Sequence, residues 1–102
     1  MSDLRAGRSG RGSGQPQNLI GWQVRRLRLQ QRLTQPDLAA RCQVVGYDLS
    51  RESLAKIEGR IRTVTDAEVV LLAQALRVPF ALLFPLEEEL AGLLKPFQNL
   101  LG

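Results

Sequence analysis

The sequence lacks histidine altogether and has a single cysteine, Cys42, among its 102 residues. A disulfide framework needs paired cysteines and a zinc finger needs a set of Cys and His ligands, so both are excluded. The Ser-His and Cys-His arrangements of nucleophilic catalysis are excluded for the same reason. The chain is therefore not expected to be an enzyme, and nothing in it indicates a metal site or another cofactor.

Long apolar runs are also missing. The most apolar stretch, residues 69–84, is interrupted by Arg77 and Pro79 and falls short of the ~20 apolar residues that span a bilayer. Arg5 and Arg8 are followed by Gly and Ser rather than by the apolar core of a secretory signal. A single unpaired cysteine suits a reducing compartment. These features predict a cytoplasmic protein that does not bind membranes.

Charge is distributed unevenly along the chain, although the formal net charge is only +4. Residues 19–65 carry nine basic and four acidic side chains, whereas residues 66–102 carry two basic and five acidic ones. A basic middle segment of this kind indicates binding to a polyanion.

The composition divides the chain into three segments. Residues 1–18 are rich in Gly, Ser, Arg and Gln and have little to bury, so they are predicted to form a disordered basic arm. This arm is interpreted either as a phosphate or minor-groove contact or as an inert tail. Residues 19–85 are expected to form one helical domain, and residues 86–102 an amphipathic helix.

Four segments between residues 19 and 77 have apolar residues at helical spacing, and none shows the alternation of a strand. The sequence therefore predicts an all-α fold. Asp37 and Glu68 are spaced to complete capping boxes, and Gly46 suits the left-handed position after the second helix. Each helix is preceded by a residue suited to its N-cap: Asn18, Thr34, Ser50 and Thr65.

The order of a basic helix, a short capped helix, a turn and a second capped helix is the layout of helix-turn-helix DNA-binding proteins. The chain resembles the Cro and phage-repressor (xenobiotic-response-element, XRE) helix-turn-helix regulators over roughly residues 19–85. The resemblance implies a lambda-repressor-like five-helix DNA-binding domain. The matching blocks are Leu-Thr-Gln at 33–35, Leu-Ala at 38–39, Ser-Arg-Glu-Ser-Leu-Ala-Lys-Ile-Glu at 50–58, Leu-Leu-Ala-Gln-Ala-Leu at 71–76 and Leu-Leu-Phe at 82–84.

The connection between Cys42 and Ser50 departs from the common pattern of these regulators, since it is about five residues longer. The chain is similar to a subgroup with this spacing, which carries Val-Thr-Asp before the fourth helix, here at residues 64–66. A longer second helix, ending at Gly46, is expected to absorb most of the extra length.

The resemblance also implies which residues contact DNA. Arg51, Glu52 and Lys56 are expected to reach base edges, because Arg and Lys suit guanine O6 and N7 and Glu accepts from cytosine N4. Gln35 is expected to hold a phosphate at the start of the second helix. The full set of expected backbone contacts is Gln35, Ser50, Ser53, Arg60 and Arg62.

Arg28 and Glu58 are given a different role by the resemblance. The related regulators join their first and third helices by an Arg–Glu pair at these positions. Because an unpaired buried charge is costly, the two residues are expected to form a structural ion pair rather than to contact bases.

The last segment has Leu and Phe residues at helical spacing, from Leu86 to Leu101, with Glu87, Glu88 and Glu89 near its start. Pro96 is expected to kink or end this helix. Its apolar face is predicted to pack on its own domain or on a second subunit, and a homodimer would double the DNA site.

These observations predict a sequence-specific double-stranded DNA-binding transcriptional regulator, a repressor acting by occupancy, with a recognition helix that starts at Ser50. Two alternatives remain open. One is an antitoxin-type autoregulator that binds a toxin through its C-terminus. The other is a protein-interaction adaptor that uses the same fold without specific DNA recognition.

Overall fold

The computed structural model describes residues 15–101, with side chains up to Gln98. Most of the predicted arm, residues 1–14, lies outside these residues. The all-α prediction is confirmed, since the described residues contain no strand. None of their helices is long and apolar enough to cross a membrane. The elements are α1 (Gly21–Gln30), α2 (Gln35–Val44), α3 (Arg51–Glu58), α4 (Asp66–Leu76), a 3₁₀-helix (Phe80–Leu83) and α5 (Glu87–Leu101).

The core is formed by α1 to α4 and the 3₁₀-helix. Cys42 packs inside it, and burial raises the pKa of its thiol to about 11, so the residue acts as a small apolar side chain rather than as a nucleophile. The largest fully buried side chains are Val24, Leu38, Cys42, Leu54, Ile57, Leu72, Leu76 and Leu83.

Three helix starts follow the predicted N-caps, whereas the prediction of Asn18 is wrong, because the N-cap of α1 is Ile20. Thr34 and Thr65 complete capping boxes with Asp37 and Glu68, so these two predictions are confirmed. The Ser50 hydroxyl accepts the N–H of the third residue of its own helix at 3.0 Å, which confirms that cap as well. These bonds satisfy backbone donors that have no partner inside a helix.

Asn18 holds the start of α1 to the end of α3. Its Oδ1 accepts the N–H groups of Ile20 and Gly21, and its Nδ2 donates to the carbonyls of Ile57 and Arg62. The helix begins at Gly21, slightly later than the predicted 19–31 segment. Asn18 is buried, so the last residue of the predicted arm belongs to the folded part of the chain.

The first four helices end in the same way, with a residue at positive φ after the last turn. For α2 this residue is Gly46 (φ 84°), the position predicted for it, although the helix itself ends at Val44. The N–H groups of Gly46 and Tyr47 bond the carbonyls of Gln43 and Cys42, which is a Schellman motif. At the other three ends the left-handed residue is an arginine: Arg32, Arg60 and Arg77.

The last helix, α5, runs through Pro96 without ending there. Leu94 and Phe97 line a cavity of about 430 Å³ together with Leu19 and Val69 of the domain. The side chains of Leu93, Leu94 and Phe97 are only half-buried. The helix therefore lies against the domain without closing the space beneath it.

Candidate nucleic-acid interface

The side chains of α3 divide into a buried and an open face. Leu54 and Ile57 are fully buried, whereas Arg51, Glu52 and Lys56 are exposed. Glu52 and Lys56 are four residues apart, so they lie on the same side of the helix. The three residues predicted to contact bases therefore project outward from α3.

Arg51 and Glu52 form a loose ion pair on this face, with 3.7 Å between Nη2 and Oε2. Their side chains are 51% and 72% exposed. An exposed pair of this kind contributes roughly 0–1 kcal/mol, because water and salt screen it. Both side chains can exchange this contact for a hydrogen-bond partner on a ligand.

Arg28 and Glu58 are brought together inside the domain. Arg28 Nε donates to Glu58 Oε2 at 2.7 Å and Nη2 donates to Oε1 at 3.0 Å. The third guanidinium nitrogen, Nη1, donates to the Leu33 carbonyl at 2.8 Å. The side chains are only 8% and 3% exposed, so this two-point pair joins α1 to α3 away from solvent.

Gln35 adjoins this pair. Its Nε2 donates to Glu58 Oε1 at 3.1 Å, and the side chain is half-buried. The amide predicted to hold a phosphate is thus used to join α2 to α3. Pro36 has no N–H and the Asp37 N–H donates to the Thr34 hydroxyl, so the Gln35 N–H is the donor in the first turn of α2 that suits an anion.

Arg60, which was predicted to contact phosphate, does not lie on the open surface. It is 7% exposed, its Nε donates to the Asn18 carbonyl at 3.1 Å, and its guanidinium carbon lies 4.1 Å from the centroid of the Trp22 ring. Burial lowers the pKa of this guanidinium. The left-handed backbone at Arg60 ends α3 and directs the side chain onto α1, which its position in a loop did not reveal.

Arg62 is half-buried and paired. Its Nη2 donates to Glu68 Oε2 at 2.8 Å, and Nη1 donates to the Thr63 carbonyl at 3.0 Å. Burial alone would raise the pKa of Glu68, but hydrogen bonds from Arg62, the Thr65 N–H and Tyr47 lower it to about 2. The carboxylate therefore balances the charge of Arg62 in the free protein.

Tyr47 is a residue of this region that sequence reasoning missed. Its hydroxyl donates to Glu68 Oε2 at 2.6 Å, across the gap from the α2–α3 connection to α4. The only signal in the sequence was the unusual length of that connection, because the two residues are far apart in the chain.

Comparison with known proteins gives one finding. A family model described as a helix-turn-helix domain matches residues 19–83, more than half of the chain. Neither the curated proteins nor the solved structures yielded a significant match.

Proposed function

Because this chain belongs to the helix-turn-helix domain family, we propose that it is a sequence-specific double-stranded DNA-binding transcriptional regulator. In this fold the second helix of the pair, here α3, enters the major groove by its N-terminal end. The observation that carries the proposal is the open face of α3. The side chains of Arg51, Glu52 and Lys56 lie there, and apart from the loose Arg51–Glu52 pair they make no ion pair or hydrogen bond to the described chain.

The chemistry of these three side chains suits base recognition. The guanidinium of Arg51 can donate two parallel hydrogen bonds to O6 and N7 of a guanine, and Lys56 can donate to the same acceptors. The carboxylate of Glu52 can accept from the amino group of a cytosine, and it would be repelled by a phosphate. A surface of mixed charge favours particular base pairs over the uniform negative backbone.

Phosphate contacts are proposed around the two helix N-termini. Ser50 and Ser53 lie beside the start of α3, and Gln35 contributes its backbone at the start of α2. Arg62 would offer a phosphate only the part of its guanidinium that Glu68 does not hold. Arg60 is proposed to support α1 and the end of α3 instead of contacting DNA.

We propose that the protein acts as a homodimer and represses by occupying its site. One small module makes few base contacts, and a two-fold pair doubles them on half-sites about one 34 Å helical turn apart. The proposal is supported by the exposed apolar side chains of Phe80, Leu82, Phe84 and Leu86, which are 40–59% exposed. They immediately precede α5, and a second copy could cover them together with the apolar residues of that helix.

Selection from a random duplex pool tests specific recognition. It is carried out at about 0.15 M salt with excess non-specific DNA, where purely electrostatic binding is weak. Enrichment of an inverted repeat is expected. A single half-site would contradict the dimer, and no enrichment would contradict specific recognition and favour the adaptor alternative.

Single variants test the assigned base contacts on the selected duplex. Arg51→Ala and Lys56→Ala are each expected to relax selectivity at one base position and to weaken binding by about 1–3 kcal/mol. Arg25→Ala on α1 is the matched control, because it removes an exposed positive charge away from α3. Equal, sequence-independent weakening by all three would show that charge alone drives binding.

A further inference from the structure

One carboxylate oxygen joins the chain segments on both sides of α3. Glu68 Oε2 accepts the hydroxyl of Tyr47 at 2.6 Å and Nη2 of Arg62 at 2.8 Å. Tyr47 lies three residues before the N-cap of α3, and Arg62 lies four residues after its last residue. Both ends of the helix are thus attached to the same atom.

The carboxylate itself is fixed in place. Its other oxygen, Oε1, accepts the N–H of Thr65 at 2.9 Å in the capping box of α4. The side chain of Glu68 is 16% exposed and that of Arg62 is 31% exposed. Charge-assisted bonds shielded in this way are stronger than neutral ones in open solvent.

Most hydrogen bonds of the connection before α3 join residues that are close in the chain. Six residues, 45–50, separate α2 from α3. Leu49 is buried, and Gln43 Nε2 donates to Asp48 Oδ1 and to the Leu49 carbonyl, but those hydrogen bonds remain within α2 and the connection. The Tyr47 hydroxyl reaches α4 instead, so it restrains how α3 is held against the remainder of the domain.

We infer that Tyr47, Glu68 and Arg62 form a clasp that positions α3 for base recognition. The inference rests on the proposed function. Tyr47 and Arg62 are positioning residues here: they act through the orientation of α3 rather than by touching bases. Arg62 in particular contributes a structural bond to Glu68 in place of a free positive charge toward phosphate.

Tyr47→Phe is the variant that isolates the clasp, since it keeps the ring and removes only the hydroxyl. Binding is measured over a salt series on the duplex recovered by selection and on a scrambled duplex of equal length. We expect about five- to tenfold weaker binding to the selected duplex, the loss of one strong hydrogen bond. Affinity for the scrambled duplex and the salt dependence should be unchanged, because no phosphate contact is lost.

Gln23→Ala is the matched control. It removes a longer, neutral side-chain hydrogen bond that also joins two elements, from Gln23 Nε2 on α1 to the Leu82 carbonyl of the 3₁₀-helix at 3.0 Å. It should leave binding to both duplexes unchanged. If Gln23→Ala weakens selective binding as much as Tyr47→Phe, general loosening of the domain explains the effect and the clasp is overturned.

Arg62→Gln separates positioning from direct phosphate contact. If Arg62 acts through the clasp, the variant should bind the selected duplex more weakly with little change in the salt dependence. If Arg62 contacts a phosphate directly, the variant should bind both duplexes more weakly, and the salt slope should fall by about one. The second result would overturn the inference if Tyr47→Phe also binds the selected duplex as tightly as the wild-type chain does.

Amide hydrogen exchange tests the clasp without DNA. Tyr47→Phe should speed exchange in residues 45–50 and 59–64 relative to the wild-type chain, while the core of α1 stays protected. Unchanged exchange would overturn the clasp whatever the DNA result. Faster exchange in a protein that selects no duplex would instead overturn the proposed function, and the positioning role with it.

Discussion

At the scale of single residues, the Arg28–Glu58 pair gives the strongest prediction. Arg28→Ala leaves the buried Glu58 carboxylate without its two donors, which should lower the free energy of unfolding by about 3 kcal/mol. Chemical denaturation followed by helical circular dichroism measures this change. Arg25→Ala, on the exposed side of the same helix, should stay within about 0.5 kcal/mol of wild type. Equal stability of the two variants would contradict the structural role of the pair.

The arginines with left-handed backbone give a prediction of increased stability. Arg77 is exposed at φ 61°, a region where a side chain costs roughly 1–2 kcal/mol and glycine costs little. Arg77→Gly is therefore expected to raise the melting temperature, in spite of the greater freedom of glycine in the unfolded chain. Gln74→Gly, at an exposed position inside α4, should lower the free energy of unfolding by about 1 kcal/mol. A lower melting temperature for Arg77→Gly would show that its backbone is not strained.

The arginines show which residue roles could be predicted from the sequence and which could not. The Arg28–Glu58 pair could be proposed because it accompanies a recognisable motif. Arg60 and Arg62 look alike in the sequence, as two basic residues in one loop. A positive φ buries the first against Trp22, and a carboxylate from the next helix pairs with the second. Neither the backbone conformation of Arg60 nor the pairing of Arg62 follows from the spacing of charged residues, so the sequence alone could not distinguish the two.

At the scale of elements, the contact between α1 and the end of α3 depends on Gly21. A Cβ at this position would overlap the Ile57 carbonyl and crowd Arg60 Cγ. Gly21→Ala should therefore force the helices apart and lower the free energy of unfolding by about 1–3 kcal/mol. Gly92→Ala is the matched control in α5, where a Cβ meets nothing within 4 Å and helix propensity favours alanine by about 1 kcal/mol. The melting temperature is expected to fall for Gly21→Ala and to rise for Gly92→Ala. An unchanged melting temperature for Gly21→Ala would contradict the close approach of α1 and α3.

Helix starts could be predicted more fully than helix ends. The caps at Thr34, Ser50 and Thr65 depend on side chains within three residues, so the local sequence contains the whole cause. At the ends marked by Arg32, Arg60 and Arg77 the left-handed residue itself is not a glycine, so the sequence contains no such signal there. For α5, periodicity indicates an apolar face but does not specify what covers it, and dimerisation through it stays a proposal.

At the scale of the whole molecule, hydrogen bonds between side chains and neighbouring helices fix the relative positions of those helices more closely than apolar packing alone would. Asn18 connects the start of α1 to α3 and its following loop, Gln35 and Arg28 meet at Glu58, and Glu68 joins both flanks of α3 to α4. Helix α3 and the segments beside it are held in part by the carboxylates of Glu58 and Glu68, whose bonds to arginine depend on charge. Stability should then respond to pH through Glu68, whose pKa is lowered in the folded chain.

Acid should weaken the fold through Glu68. Its pKa of about 2 in the folded chain lies below the value of an unfolded glutamate, about 4.3, so the folded state favours the ionised form. The resulting stability is present above about pH 5 and is lost as the pH falls toward 2, a change of roughly 2–3 kcal/mol. Denaturation curves between pH 7 and pH 2 measure this loss.

Glu68→Gln isolates that contribution, because glutamine accepts hydrogen bonds but does not ionise. The variant should be less stable than wild type at pH 7, and its stability should fall less steeply between pH 5 and pH 2. Glu88→Gln, an exposed carboxylate near the start of α5, should keep the wild-type pH dependence. If Glu68→Gln loses stability in acid as steeply as wild type, the loss arises from other carboxylates. The attachment of α3 to α4 would then contribute little to the acid response.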